Sequence, residues 1–197
     1  GGTAYASYVS GSGTNALVIN ADTDGNGTGT LALGAGSFVL GDTIDLIAAD
    51  FSIDPTATIG SVTTTSVTLR QSEDGRAIDL GTDTPGSVGL TLAELGTITM
   101  APTGSLIIGD ENSGTITISA VLDPTGYRLI DLRSDVTFSG TGGFVSEIVS
   151  ATVYDQILVN GSLVIDPAAS LTVTAAGMFV PAAGDAFTLI DNLSTEP

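Results

Sequence analysis

Aliphatic residues in this chain come in pairs two positions apart, and Gly, Asp or Asn cuts each pair off before a helical stripe can develop. From the middle outward the pairs are Val67/Leu69, Ile78/Leu80, Leu90/Leu92, then Ile98 alone, Leu106/Ile108, Ile116/Ile118, Leu129 with Leu132, and Val136/Phe138. Their first members stand 11, 12, 8, 8, 10, 13 and 7 residues apart. A period of two puts both members of a pair on one face of a strand, so the pattern predicts short half-buried strands joined by tight corners. The best helical stretch, Leu90 to Leu95, is a single turn at most.

Sandwiches and barrels space their strands similarly, so rhythm alone does not select an architecture. Three features favour an all-β, parallel β-solenoid. The strands are very short, the corners are mostly single Gly, Asp or Asn residues, and the apolar pairs repeat without aromatic anchors, since the chain has 6 Phe, 4 Tyr and no Trp. Coils of roughly 20 to 30 residues would number about seven to ten, each adding about 4.8 Å along an axis. Three segments are expected: residues 1–60, turn-rich first coils or a cap; 61–140, solenoid repeats; and 141–197, a further β-repeat module. A short β-rich, non-solenoid piece at either end fits this division. Within the last segment Asn160-Gly161 reads equally well as a type I′ hairpin turn and as another corner.

The runs Val67-Thr-Leu-Arg-Gln-Ser-Glu-Asp-Gly-Arg-Ala-Ile-Asp-Leu-Gly81, Leu90-Thr-Leu-Ala-Glu-Leu-Gly-Thr-Ile98 and Leu106 to Ile118 resemble repeats of filamentous-haemagglutinin-like exoproteins. These are giant bacterial surface adhesins exported by two-partner secretion or as autotransporters. Tyr154 to Asn192 is similar to a second module of β-strand-repeat surface proteins. The resemblance covers about residues 60 to 192. It implies a right-handed β-helix on the bacterial cell surface or outside the cell, used for adhesion, cell contact or matrix and biofilm building. With Gly1 first and no signal-like run, the sequence reads as a piece of a larger chain.

Charge narrows the partners. A net charge of −18, from 22 acidic residues against Arg70, Arg76, Arg128 and Arg133, leaves nothing to neutralise phosphates, so nucleic acid and anionic membranes are disfavoured. No apolar stretch is long enough for a membrane span. Cysteine and histidine are absent, which removes disulfides, thiolate chemistry and most transition-metal sites. A β-helix enzyme acting on acidic polysaccharides would want a basic groove with a Lys, Arg or His base, so no enzymatic activity is expected. A carbohydrate-binding or carbohydrate-degrading β-helix module is the alternative, weakened by the scarcity of aromatic platforms.

Asp22, Asp24 and Asn26 have the oxygen spacing of the first half of an EF-hand-like calcium loop, followed by Gly27 and Thr28. Leu33 stands where the closing Glu belongs, so a solvated turn is the simpler reading, and calcium is the one cofactor considered. The acidic set Glu73, Asp74, Asp79, Asp83, Asp110 and Glu111 would ladder across coils, but exposed acidic corners also protect strand edges. Arg70 and Arg76 are expected to pair locally with Glu73 and Asp74, and Arg128 and Arg133 with Asp123, Asp131 and Asp135. Thr-x-Thr pairs at Thr28/Thr30, Thr63/Thr65, Thr97/Thr99, Thr115/Thr117 and Thr172/Thr174 are spaced too irregularly for an ice-matching face. Open strand edges at the coil ends point to self-association, end to end or by strand exchange, and surface or matrix glycans and proteins are further possible partners.

Overall fold

Short runs of Val, Ile, Leu and Thr bounded by glycine corners cannot sustain a helix, and the regular elements are strands except for one helical turn. The computed structural model describes residues 3–10 and 16–194. Residues 1–2 and 11–15 of the first expected segment and 195–197 of the last lie outside the described residues.

In chain order the strands are β1 (Thr3–Ser10), β2 (Leu17–Asn20), β3 (Thr30–Leu40), β4 (Thr43–Ala48), β5 (Asp50–Ile53), β6 (Thr58–Gly60) and β7 (Ser66–Gln71). Next come β8 (Ile78–Gly81), β9 (Val88–Thr91), the one-turn helix α1 (Leu92–Leu95), β10 (Ile98–Thr99), β11 (Ser105–Ile108), β12 (Ile116–Ile118) and β13 (Val121–Leu122). The last third holds β14 (Leu129–Leu132), β15 (Val136–Phe138), β16 (Gly143–Ser150), β17 (Val153–Tyr154), β18 (Gln156–Val159), β19 (Leu163–Ile165), β20 (Ser170–Ala175) and β21 (Ile190–Asn192).

The strands form four sheets, and the pairs are parallel except for the short antiparallel contact of β16 with β17. The longest sheet runs β2-β4-β7-β11-β14-β18-β21, strictly in sequence order. Its register puts one inward row at Leu17, Ile44, Val67, Leu106, Ile130, Ile157 and Ile190, with steps of 27, 23, 39, 24, 27 and 33 residues. A second sheet stacks β9, β8, β12, β15 and β19, so that Val88, Ile78, Ile116, Val136 and Leu163 fall in one row and Leu90, Leu80, Ile118, Phe138 and Ile165 in the next. From β11 onward the chain visits the long sheet, this second sheet and the sheet of β13, β16 and β20, then returns to the long sheet, three times over. No helix among the described residues is long and apolar enough to cross a membrane.

These rows make one hydrophobic cluster from Leu31 to Val159. The long sheet takes strands from all three expected segments. At about 25 cal/mol per Å² of apolar surface removed from water, each sealed aliphatic side chain contributes about 1.5–3 kcal/mol.

Two local readings need correction, and one left open is decided. Leu92 is not the inward partner of Leu90: it is 43% exposed on α1, because Thr91 and Glu94 form a reciprocal capping box that starts a helical turn there. On β14 the buried residues are Ile130 and Leu132, while Leu129 is only half-buried, since the strand pairs Ile130 with Leu106. Asn160-Gly161 is a corner and not a hairpin, because β18 and β19 join different sheets and both pair in parallel. Glycine is required at Gly81, whose φ is 121° and whose added Cβ would lie 2.5 Å from the Ala120 side chain.

Leu106→Ala removes a side chain sealed between Val67 and Ile130, and is expected to cost about 2–5 kcal/mol in urea unfolding. Ile107→Ala, on the half-exposed face of the same strand, should cost under about 1 kcal/mol.

Candidate functional site

The polar chemistry of the molecule is concentrated where the chain leaves the long sheet. These corners are residues 21–29 after β2, 72–77 after β7, 109–115 after β11, 133–135 after β14 and 160–162 after β18. Their backbones must turn sharply, so they carry Gly, Asp, Asn and Ser, and those side chains bond from one corner to the next.

Asp22 is buried at 4% exposure, and its Oδ2 accepts the Ser72 hydroxyl at 2.7 Å and the Gly27 N–H at 2.9 Å. The Ser72 hydrogen bond, with help from the neighbouring loop donors, holds the Asp22 carboxyl below the usual carboxylate range. The Asn26 side-chain amide donates to Asp24 at 2.7 Å, and its Oδ1 accepts both the N–H and the hydroxyl of Thr28. Arg76 closes the arrangement by donating to the Gly27 carbonyl at 3.1 Å. The three residues with calcium-loop spacing therefore spend oxygens on donors of the chain itself. Among the described residues no three carboxylates are grouped closely enough to hold a metal ion.

Further along, the buried Gln71 amide donates to Asp110 at 2.7 Å and its oxygen accepts the Ser113 hydroxyl. Ser134 then donates to the Ser113 carbonyl, Asn160 to Asp131 at 2.6 Å, and the Ser162 N–H to Asp135 at 2.8 Å. That last bond holds the Asp135 carboxyl down. A shallow acidic groove of about 760 Å³ lies along this line, between Asp110 and Glu111 on one side and Asp131, Asp135 and Asn160 on the other. The rest of the acidic set is dispersed. Asp79 is buried under the hydroxyls of Thr82, Thr84 and Ser119.

The arginines do not all pair with their sequence neighbours. Arg76 meets Glu73 at 3.7 Å and Arg133 meets Asp131 at 3.0 Å, as local pairing requires. Arg70 instead reaches across strands, with Asp45 at 3.0 Å on β4 and Asp110 at 3.3 Å past β11. Arg128 turns to Asp155 at 3.1 Å and Glu147 at 3.9 Å. Sequence reading could not find these partners, because the stacking of strands brings residues 19 to 40 apart side by side.

Asp155 is the most enclosed ion of the set, 2% exposed, with Arg128 and the Glu147 N–H, at 2.8 Å, on its two oxygens. Burial pushes its carboxyl up, against the opposing pull of those two donors. Asp50 is likewise raised by burial. A second groove, of about 630 Å³, passes Arg128, Glu147, Met100 and Tyr127. The Tyr127 ring is sealed at 8% exposure, so it offers no stacking platform to a sugar. The Thr-x-Thr pairs fall on different sheets or in turns, with Thr97 buried and donating to the Glu94 carbonyl, and make no common face.

No family model matches this chain. Neither does any curated protein or any solved structure.

Two variants test this account of the corners. Asp22→Ala strands a half-buried hydroxyl and a half-buried backbone N–H and should cost about 1 kcal/mol. Because the Asp22 carboxyl is depressed in the fold, its contribution is present above the unfolded carboxylate pKa and lost as acid protonates it. The gap between Asp22→Ala and the parent in urea melts should therefore close toward low pH. Arg128→Ala leaves Asp155 buried without its cation, at a cost of about 2 kcal/mol, below that of a fully buried pair because Arg128 keeps 29% of its surface in water. This gap should also shrink on acidification, but from a higher pH, since Asp155 takes up its proton earlier.

Proposed function

We propose that this chain is a structural and adhesive segment of an exported bacterial surface protein, wound as a right-handed parallel β-solenoid and acting as a rod for cell contact or matrix building. The observation that carries this reading is the strict sequence order of the seven-strand parallel ladder, with its returns of 23 to 39 residues. A chain that keeps returning to the next place in one ladder extends along a single direction. Seven strands at about 4.8 Å spacing give roughly 29 Å of rise.

The chemistry is consistent with scaffolding. Asp22 and Asp110 accept from a hydroxyl and an amide of another return, and Arg70 and Arg128 bridge strands, while Arg76 and Arg133 meet carboxylates close to them in sequence. The resemblance of residues 60 to 192 to filamentous-haemagglutinin-like repeats supports the adhesin reading and the extracellular or cell-surface setting. In this reading the chain catalyses nothing, and the Asp22 loop holds its shape without an ion.

Oxidation of a Thr68→Cys/Ile107→Cys double variant should close an intramolecular disulfide, since the two residues pair in register on adjacent strands of the ladder; failure to close it would overturn the parallel stack. Thermal melts with added calcium and with a chelator should superimpose; a rise of several degrees with calcium would restore a metal to the corners. Release of sugar from an acidic polysaccharide would favour the carbohydrate-active alternative.

A further inference from the structure

Between β13 and β14 the chain turns through Asp123, Pro124, Thr125, Gly126 and Tyr127, and this corner is pressed against β10. The Gly126 carbonyl accepts the Met100 N–H at 3.3 Å, and a Cβ at Gly126 would lie 2.4 Å from the Ile98 carbonyl oxygen, so only glycine permits the approach. Two polar groups of the corner are left over. Asp22, Asp79, Asp110, Asp131, Asp135 and Asp155 each accept a hydrogen bond from the chain, whereas Asp123 is exposed and has neither hydrogen bond nor ion pair among the described residues. Tyr127 is the other: its ring is buried, yet its hydroxyl has no hydrogen-bond partner among those residues and is not shut off from solvent. A buried tyrosine ordinarily finds a partner for that group. Burial, and after it the charge of Asp123, pushes the Tyr127 hydroxyl up, so it stays protonated.

Both groups line the groove of about 630 Å³ that also passes Met100, Pro102, Val145 and Glu147, and both line a smaller cleft of about 160 Å³ beside Leu92 and Val121. Glu147 is half-exposed and meets Arg128 only at 3.9 Å, while Arg128 is spent on Asp155 at 3.1 Å. Asp123 and Glu147 therefore leave the groove negative. We propose that it binds a linear aliphatic polyamine, with one ammonium at Asp123 and the Tyr127 hydroxyl, another at Glu147, and the methylene stem over Met100, Pro102 and Val145. An ammonium offers donors only, which is what a carboxylate and the lone pairs of a phenol accept. Methylene stems pack on apolar side chains while their charged ends stay in water. The two negative charges sit on separate side chains, and among the described residues no three carboxylates are grouped closely enough to hold a metal ion. A cation with its charge divided between two ends matches that arrangement better than a single divalent ion. The 197 residues contain no lysine, so no side-chain ammonium of theirs competes for the groove.

Isothermal titration calorimetry with spermidine at about 150 mM salt, where diffuse attraction to the net charge of −18 is screened, should show one saturable site. Asp123→Asn should weaken binding about tenfold and Tyr127→Phe about threefold, the losses expected of a charged and of a neutral hydrogen bond. Neither variant should lower the urea midpoint, because neither group has a partner to lose among the described residues; a merely structural role would move stability and not affinity alone. Pentylamine, with a single ammonium, should bind about tenfold more weakly than cadaverine, which has one at each end of the same stem. Glu111→Gln removes the same charge outside this groove and should leave the affinity unchanged. No saturable binding, more than one equivalent bound, an unchanged affinity in Asp123→Asn or Tyr127→Phe, or equal weakening by Glu111→Gln would reduce the effect to counter-ion attraction and end the proposal. Tighter binding of the tripeptide Lys-Gly-Lys than of spermidine would overturn it in favour of a lysine-bearing protein. Failure on any of these counts leaves the strand stack untouched, which the Thr68→Cys/Ile107→Cys disulfide tests separately.

Discussion

Everything in this fold depends on like sitting upon like: an aliphatic residue of one strand lies in register against an aliphatic residue of the next strand of its sheet. The long sheet does this six times in its first inward row, and the second sheet four times in its first row and twice in its second, where Phe138 takes the next place. Because parallel strands do not alternate direction, a side chain that points inward in one strand stays above its equivalent in the next, and a slip of one residue would turn the whole row outward. Register is thereby fixed by burial, not by turn geometry, and corners are released to vary in length and composition.

That freedom is used for polar interlocking. Ser72 on Asp22, Gln71 on Asp110, Ser134 on the Ser113 carbonyl and Asn160 on Asp131 all join residues far apart in sequence that stacking makes neighbours. Such bonds are worth about 1 kcal/mol each, little beside the apolar rows, yet they satisfy backbone and side-chain groups that the sharp corners would otherwise leave stranded.

The sequence disclosed what depends on period and hid what depends on contact. Val67/Leu69, Ile78/Leu80, Leu106/Ile108, Ile116/Ile118 and Val136/Phe138 face inward as their two-residue spacing requires. Leu92 and Leu129 misled because a capping box and a cross-strand partner, neither of them visible in local alternation, decided their direction. The Asp22 loop was legible as a polar turn, but Ser72, fifty residues away, was not. Local charge pairing likewise gave no hint of Arg70 spanning Asp45 and Asp110, since a row of partners exists only after the strands have stacked.

The longest return in the sheet, 39 residues from Val67 to Leu106, accommodates β8, β9, α1 and β10 and still advances the ladder by a single strand. Height and girth are thus set independently. A chain built this way can acquire a bulge, an extra strand or a helical turn at one level while every other level keeps its place, so its length can be conserved as its flanks diversify.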